Sequence, residues 1–480
     1  TGGIYSLFLL LLKKTTMHSY IPFAPFLTGA IFFMLQYDNI FIFWMVYCLN
    51  NKFLYQNFGF IDFILLYKLD ICYNHVKINK KRRGLMNFLF ISPMFPKNYW
   101  NFCDRMKNHG VNVLAIGDMP EEHISYELRK SVTEYCYVNN MENYDHVYRC
   151  VAYLASKYGK IDWIESNNEY WLELDARLRT DFNINTGMKE DVTKIFKTKS
   201  GMKAYYEKAG VKTARYHLVD TLENGKKFVE EVGFPVIVKP DNGVGAAATY
   251  KISNYEELEQ FYQIDHITQY IMEEFVNGLI ISYDGLANKD HEVIFETSHV
   301  FPNSIMDVVN NNTGMHYYSL RQIPEQLQKL GRSVVKEFPL NARFFHCEFF
   351  QLLEDRPGLG NKGDFVGLEV NMRPPGGYTP DMMDWANDID IYNIYADMVV
   401  YNHSDYYTNR PYHCVYCGRR DGKEYYYNND ALMAMYGSHI LMNERMPDIL
   451  SGAMGNYTYT ARFETLEEVH DFVDKVLKEV

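Results

Sequence analysis

The segment DFVGLEVNMRPPGG (364–377) decides how the rest of the chain is read. Phe365, Val366, Leu368, Val370 and Met372 supply the apolar bulk of a strand. Glu369, Asn371 and Arg373 recur at every second residue, so they share one face of it. An acid, an amide and a guanidinium in a row fit either a solvent-facing strand with ordinary charges or a polar site.

The preceding strand narrows the choice. ARFFHCEFF (342–350) is joined to VGLEVNMR by the turn-rich connector EDRPGLGNKG, a hairpin pattern. On it Glu348 shares a face with His346 and Phe344. If that face meets the face of Glu369, two carboxylates and the Asn371 amide oxygen converge. Oxygen donors of this kind suit Mg²⁺, which keeps its remaining positions for water and phosphate. Arg373 would then clamp a phosphate or stabilise charge developing on it. His346 is read as a packing or supporting residue.

Upstream, VIVKPDNGVGAAA (236–248) is a strand, then Lys239, then a turn with Gly243 and Gly245. Glycines let backbone N–H groups wrap an anion, and Lys239 offers a point charge. The segment is neither GxxxxGK[ST] nor GxGxxG. IMEEFVNG (271–278) reads as a strand edge leading into a connector, whose backbone would suit an adenine edge.

In this order the motifs resemble those of the ATP-grasp superfamily over about residues 86–400. The resemblance implies an ATP-grasp fold of mixed α/β and α+β class, with an N-terminal Rossmann-like pre-ATP-grasp domain. It implies ATP and Mg²⁺ (or Mn²⁺) as cofactors. Lys199 and Lys239 correspond to the two ATP-phosphate lysines, and Gly243, Gly245 and Ala246 to the loop over the phosphates. Glu273 and Val276 correspond to the adenine hinge, and Glu348, Glu369 and Asn371 to the metal ligands. Arg373 corresponds to the catalytic arginine, acting with Lys239. The loop departs from the usual GxGSxG, and Ile280 stands where a ribose-binding Glu is common; Asp284, with Ser282, is the expected substitute.

The implied reaction activates a carboxylate as an acyl phosphate and joins it to an amine. A carbamoyl-phosphate-synthase-like phosphorylating enzyme and a non-catalytic ATP-binding regulatory module are the alternatives. PPGGYTPDMM follows the motif where biotin carboxylases carry QVEH; Gly376, Gly377 and Tyr378 are expected to floor the acceptor site. The loop 300–322, with Arg321, is expected to shape substrate choice. The partners are a small-molecule carboxylate and amine, and a homodimer is compatible with the family.

Net charge is −12 over 480 residues, which argues against nucleic-acid binding through a basic patch. Residues 1–85 hold nine Lys or Arg and three Asp or Glu, leaving about −18 on the remainder. Their runs at 21–37 and 39–49 fit one or two membrane helices, interrupted by Asp38. A cleaved signal peptide fits poorly, because no small-residue cleavage site follows SLFLLLL. The favoured reading starts the native protein at Met86: KKRRGLM can be written by a ribosome-binding site, spacer and start codon, and the strand MNFLFISP begins at once. A membrane partner is expected only if residues 1–85 are native, and the cytoplasm otherwise.

The domains expected are 86–190 (Rossmann-like), 191–400 (ATP-grasp, with lobes 191–272 and 273–400) and 401–480 (a small α+β region). The eight cysteines show no disulfide-scaffold spacing, and Cys414 and Cys417 form one CxxC without a matching second pair. Intact mass of the native protein should give a species beginning at Met86; a longer one overturns that start.

Overall fold

The computed structural model describes residues 86–242, 248–302 and 312–480, all within one compact unit. Its first part is a four-stranded parallel sheet. The strands are β1 (Asn87–Ile91), β2 (Asn112–Gly117), β3 (Glu134–Tyr137) and β4 (Trp163–Glu165), in the order β3-β2-β1-β4. Helices Trp100–Asn108, Tyr126–Ser131 and Tyr144–Tyr158 supply the crossovers. β1 and β2 are buried along their whole length, as strands covered on both faces must be. The chain winds outward in both directions from β1. The loops after β1 and β4 therefore meet at the point where strand order reverses, the usual place for a crevice.

A second sheet is antiparallel: β5 (Tyr216–Leu218), β6 (Val236–Pro240), β7 (Tyr250–Ile252) and β8 (Tyr270–Glu274), ordered β5-β8-β6-β7. Helices Leu222–Val232 and Tyr255–Tyr262 contribute Phe228, Val229, Leu258 and Phe261 to its core.

The third sheet has nine strands. They are β9 (Gly278–Ala287), β10 (Val293–Thr297), β11 (His299–Phe301), β12 (Met315–Ser319), β13 (Arg343–Leu352), β14 (Phe365–Asn371), β15 (His413–Arg419), β16 (Ile440–Arg445) and β17 (Tyr457–Phe463). The path runs β14-β13-β9-β11-β12-β15-β17-β16, with β10 on β9. The three C-terminal strands thus extend the sheet that carries the β13–β14 hairpin.

The apolar pattern over 191–210 suggests one helix, but there are two, Glu190–Phe196 and Lys199–Lys208. Thr198 starts the second as its N-cap, accepting from the Gly201 N–H at 3.2 Å. The cysteines also depart from expectation. Cys136 and Cys150 are joined, β3 to the following helix, although their spacing gives no such signal. Cys414 and Cys417 are both buried on β15 but belong to different apolar clusters, so they do not face a common ion. Among the described residues no helix is long and apolar enough to cross a membrane.

Tyr206 of the helix Lys199–Lys208 is fully buried against the hairpin. A Cβ on Gly367 would sit 2.6 Å from its ring. Gly367→Ala is therefore expected to lower the unfolding free energy by about 1–3 kcal/mol, read as a lower urea midpoint.

Candidate active site

β13 and β14 pair antiparallel, with His346 opposite Asn371 and Glu348 opposite Glu369. Cross-strand partners share a face, with Cβ atoms about 4.5–5.5 Å apart. The acid–amide set expected from alternation is thus brought together on one face. Burial first, and then the Glu348 charge, raise the Glu369 pKa; Lys199 and Lys239 pull it back. The Tyr206 hydroxyl lies 3.1 Å from the Glu348 carbonyl oxygen and 2.9 Å from that of Glu369, fixing both strands at this level.

His346 bridges two acids. Nδ1 is 2.5 Å from Asp284 and Nε2 is 2.9 Å from Glu348. Burial alone would depress its pKa, but the two carboxylates outweigh burial and raise it to about 9. Asp284 is fully buried; its other oxygen meets His299 Nδ1 at 2.6 Å and the Ser282 hydroxyl at 2.5 Å. The two imidazoles overcome burial and hold this acid well below the ordinary carboxylate range. Expected at a ribose, Asp284 and Ser282 are instead enclosed beneath the site. There the acid orients His346, which in turn meets Glu348.

The lysines come from two other elements. Lys199 and Lys203 lie one turn apart on the helix Lys199–Lys208, and Lys239 lies on β6. Glu273, on β8 and paired on both sides, reaches Lys203 at 2.7 Å and Lys239 at 2.6 Å. Burial would raise the Glu273 pKa, yet the two ammonium groups lower it to about 2. Expected to meet a base through its backbone, Glu273 instead directs its carboxylate between lysines, because it lies inside the ladder rather than in the connector. Lys239 is raised overall, since Glu273, Glu369 and Glu348 outweigh its desolvation. Val276 is buried beside Ala214, Leu352, Leu359 and Val366.

Gly243, Gly245 and Ala246 lie outside the described residues. The start of their loop is pinned to the helix N-terminus. Asp241 accepts from Ser200 N at 2.9 Å and from the Ser200 hydroxyl at 2.7 Å, while its carbonyl accepts from Lys199 N at 2.9 Å.

Arg373 donates Nε to Glu169 at 3.1 Å and Nη1 to the Pro374 carbonyl at 3.0 Å. Tyr378 is buried and Gly377 has φ 65°, which a glycine adopts without strain. Arg321 donates to the carbonyls of Arg410 and Glu464, tying the C-terminal segment. Residues 303–311 of its loop lie outside the described residues.

Among the described residues no three His, Cys, Asp or Glu side chains form an all-protein cation site. Two carboxylates and one amide beside lysines fit a cation completed by phosphate oxygens. Sequence reasoning missed Lys203, Asp241, Tyr206 and Glu169. Only Lys203 carried a local signal, its i+4 spacing from Lys199.

A family model described as the carbamoyl-phosphate synthase L chain, ATP binding domain, matches residues 198–277, the stretch from Lys199 through Glu273. The D-alanine–D-alanine ligase B of Clostridium perfringens is 24% identical over 177 residues, 34% of this chain and 53% of that protein. The L-arginine-specific L-amino acid ligase of Bacillus subtilis is 22% identical over 292 residues, 56% of this chain and 68% of that one. The solved L-amino acid ligase of Bacillus licheniformis superposes with a TM-score of 0.61 at 14% identity, covering 83% of this chain and 99% of that one. The chain has the ATP-grasp fold. It spans about half the length of the first curated relatives it matches. Lys239 and Glu273 lie on the β5–β8 sheet, and the paired acids lie on the β13–β14 hairpin of the large sheet.

The Glu273 shift sets a pH dependence. Its folded pKa is depressed from 4.5 to about 2, so its contribution is complete above pH 4.5 and is lost as pH falls toward 2. Glu273→Gln leaves two buried ammonium groups facing a neutral amide, expected to cost about 3–5 kcal/mol at pH 7. Urea unfolding at pH 7 and pH 3 checks this: the variant's loss should shrink at the lower pH.

Proposed function

We propose that this chain is an ATP-dependent ligase that activates a carboxylate as an acyl phosphate and joins it to an amine. The observation that carries the reading is the direct pairing of Glu348 with Glu369, with Asn371 beside them and Lys199 and Lys239 close enough to oppose their charge.

In the first step a substrate carboxylate oxygen attacks the γ-phosphorus. The bond to the bridging oxygen breaks, and ADP leaves with that electron pair. Phosphoryl transfer needs charge neutralisation and in-line placement more than a covalent catalyst. Lys199 and Lys239 offer fixed positive charge to phosphate oxygens. Glu348, Glu369 and Asn371 would hold Mg²⁺, or Mn²⁺, which supplies charge neutralisation between the phosphates when bound. In the second step an amine attacks the acyl carbon, inorganic phosphate leaves, and the amine proton passes to solvent. Arg373 stabilises the oxyanion of that tetrahedral intermediate.

The ligases among its relatives and the L-amino acid ligase fold support amine and carboxylate substrates of small size. The cytoplasm is the compartment this reading carries. The match to the carbamoyl-phosphate synthase domain covers only the nucleotide-side segment, so it supports ATP binding without favouring that enzyme's chemistry.

ADP release from ATP and Mg²⁺ should appear with a suitable amino-acid pool. Glu348→Gln/Glu369→Gln, folded by circular dichroism, should lower it by about 10²–10³-fold. Tight ATP binding with no turnover on any pool would instead favour a regulatory module.

A further inference from the structure

Glu169 lies outside every motif, yet it touches the residue placed at the reacting group. It opens a short turn, Glu169–Trp171, in the loop after β4. Its Oε2 meets Arg373 Nε at 3.1 Å, and both side chains are 19% exposed. An isolated exposed pair of this kind is worth little to stability. This one differs because the loop beneath it is fixed.

Asn168 accepts from Tyr170 N at 3.0 Å, and the Ser166 hydroxyl donates to Asp175 at 2.6 Å. The Tyr99 hydroxyl donates to the Asn167 carbonyl at 2.9 Å. Glu165, fully buried, takes Arg179 at 3.1 Å and Arg343 at 3.0 Å. Arg343 is the first residue of β13, the strand of Glu348. The end of β4 therefore grips the start of β13 through Glu165, and the loop after it grips the segment just past β14 through Glu169.

A planar guanidinium held at Nε by a carboxylate and at Nη1 by a carbonyl has its plane set. Its Nη2 has no hydrogen-bond partner among the described residues. We propose that Glu169 is a positioning residue: it aims the Arg373 guanidinium from the parallel-sheet side and leaves Nη2 for the reacting group. This rests on the ligase reading, in which Arg373 meets the developing oxyanion.

Glu169→Gln should lower kcat for ADP release by about 10- to 100-fold while the KM for ATP stays within about twofold. Glu169→Asp should recover part of the loss, and in an Arg373→Ala background Glu169→Gln should add nothing. Glu173→Gln, a nearby exposed carboxylate, should behave as the parent. An unchanged kcat, or a full further loss on top of Arg373→Ala, overturns the proposal. If the parent turns over no substrate, the ligase reading fails separately. The contact is then read by NMR, as the solvent exchange of the Arg373 Nε–H. Glu169→Gln should speed this exchange by about tenfold, and no acceleration overturns the positioning role.

Discussion

Two carboxylates on adjacent strands, Glu348 opposite Glu369, are an arrangement that a fold must hold against its own repulsion. Like charges facing each other across a ladder are destabilising. The Glu369 pKa is raised accordingly, by desolvation first and by the Glu348 charge second. What opposes the repulsion is a shell of cations: Lys199 on one helix, Lys239 on β6, and His346, on the same strand as Glu348 and bonded to it. Lys239 and His346 are in turn placed by two buried acids, Glu273 between Lys203 and Lys239 and Asp284 between the imidazoles of His299 and His346. The site is therefore an alternation of charge in depth, and removing one buried member leaves its partners unpaired in a poorly solvating interior.

Geometry at the site depends on a few close approaches. Tyr206 reaches the carbonyls of both acidic residues from a helix whose first residue is Lys199, so lysine and acid positions are set by one rigid element. Gly367 leaves room for that ring, and its N–H is taken by the Lys212 carbonyl at 2.8 Å. From the other side the parallel sheet contributes the end of β4 and the loop after it, at the strand-order reversal, through Glu165 and Glu169. The three sheets are thus joined by polar contacts as well as by apolar packing, and a displacement of any one of them would be felt by the paired acids.

Much of this is legible in the chain. Period-2 alternation gives the face of Glu369, Asn371 and Arg373, and the turn-rich connector gives the hairpin. The order of lysine, glycine turn and acid strand gives the resemblance to the ATP-grasp fold. Element boundaries were less legible, since 190–208 breaks at a threonine cap inside a continuous apolar pattern. β3, with its partly exposed tyrosines, carries no strong strand signal, and the strands after residue 401 gave no hint of which sheet they would join.

The sequence by itself determined the chemistry of the donor set, because side-chain period and residue type are local properties that a strand cannot alter. Only the tertiary structure decided which charges meet. Glu169 lies 204 residues from Arg373, Asp284 lies 62 from His346, and Glu273 lies 70 from Lys203 and 34 from Lys239. Contacts over such separations leave no periodic trace in the chain. They follow from strand order and register, which are fixed by how three sheets bury their apolar faces together.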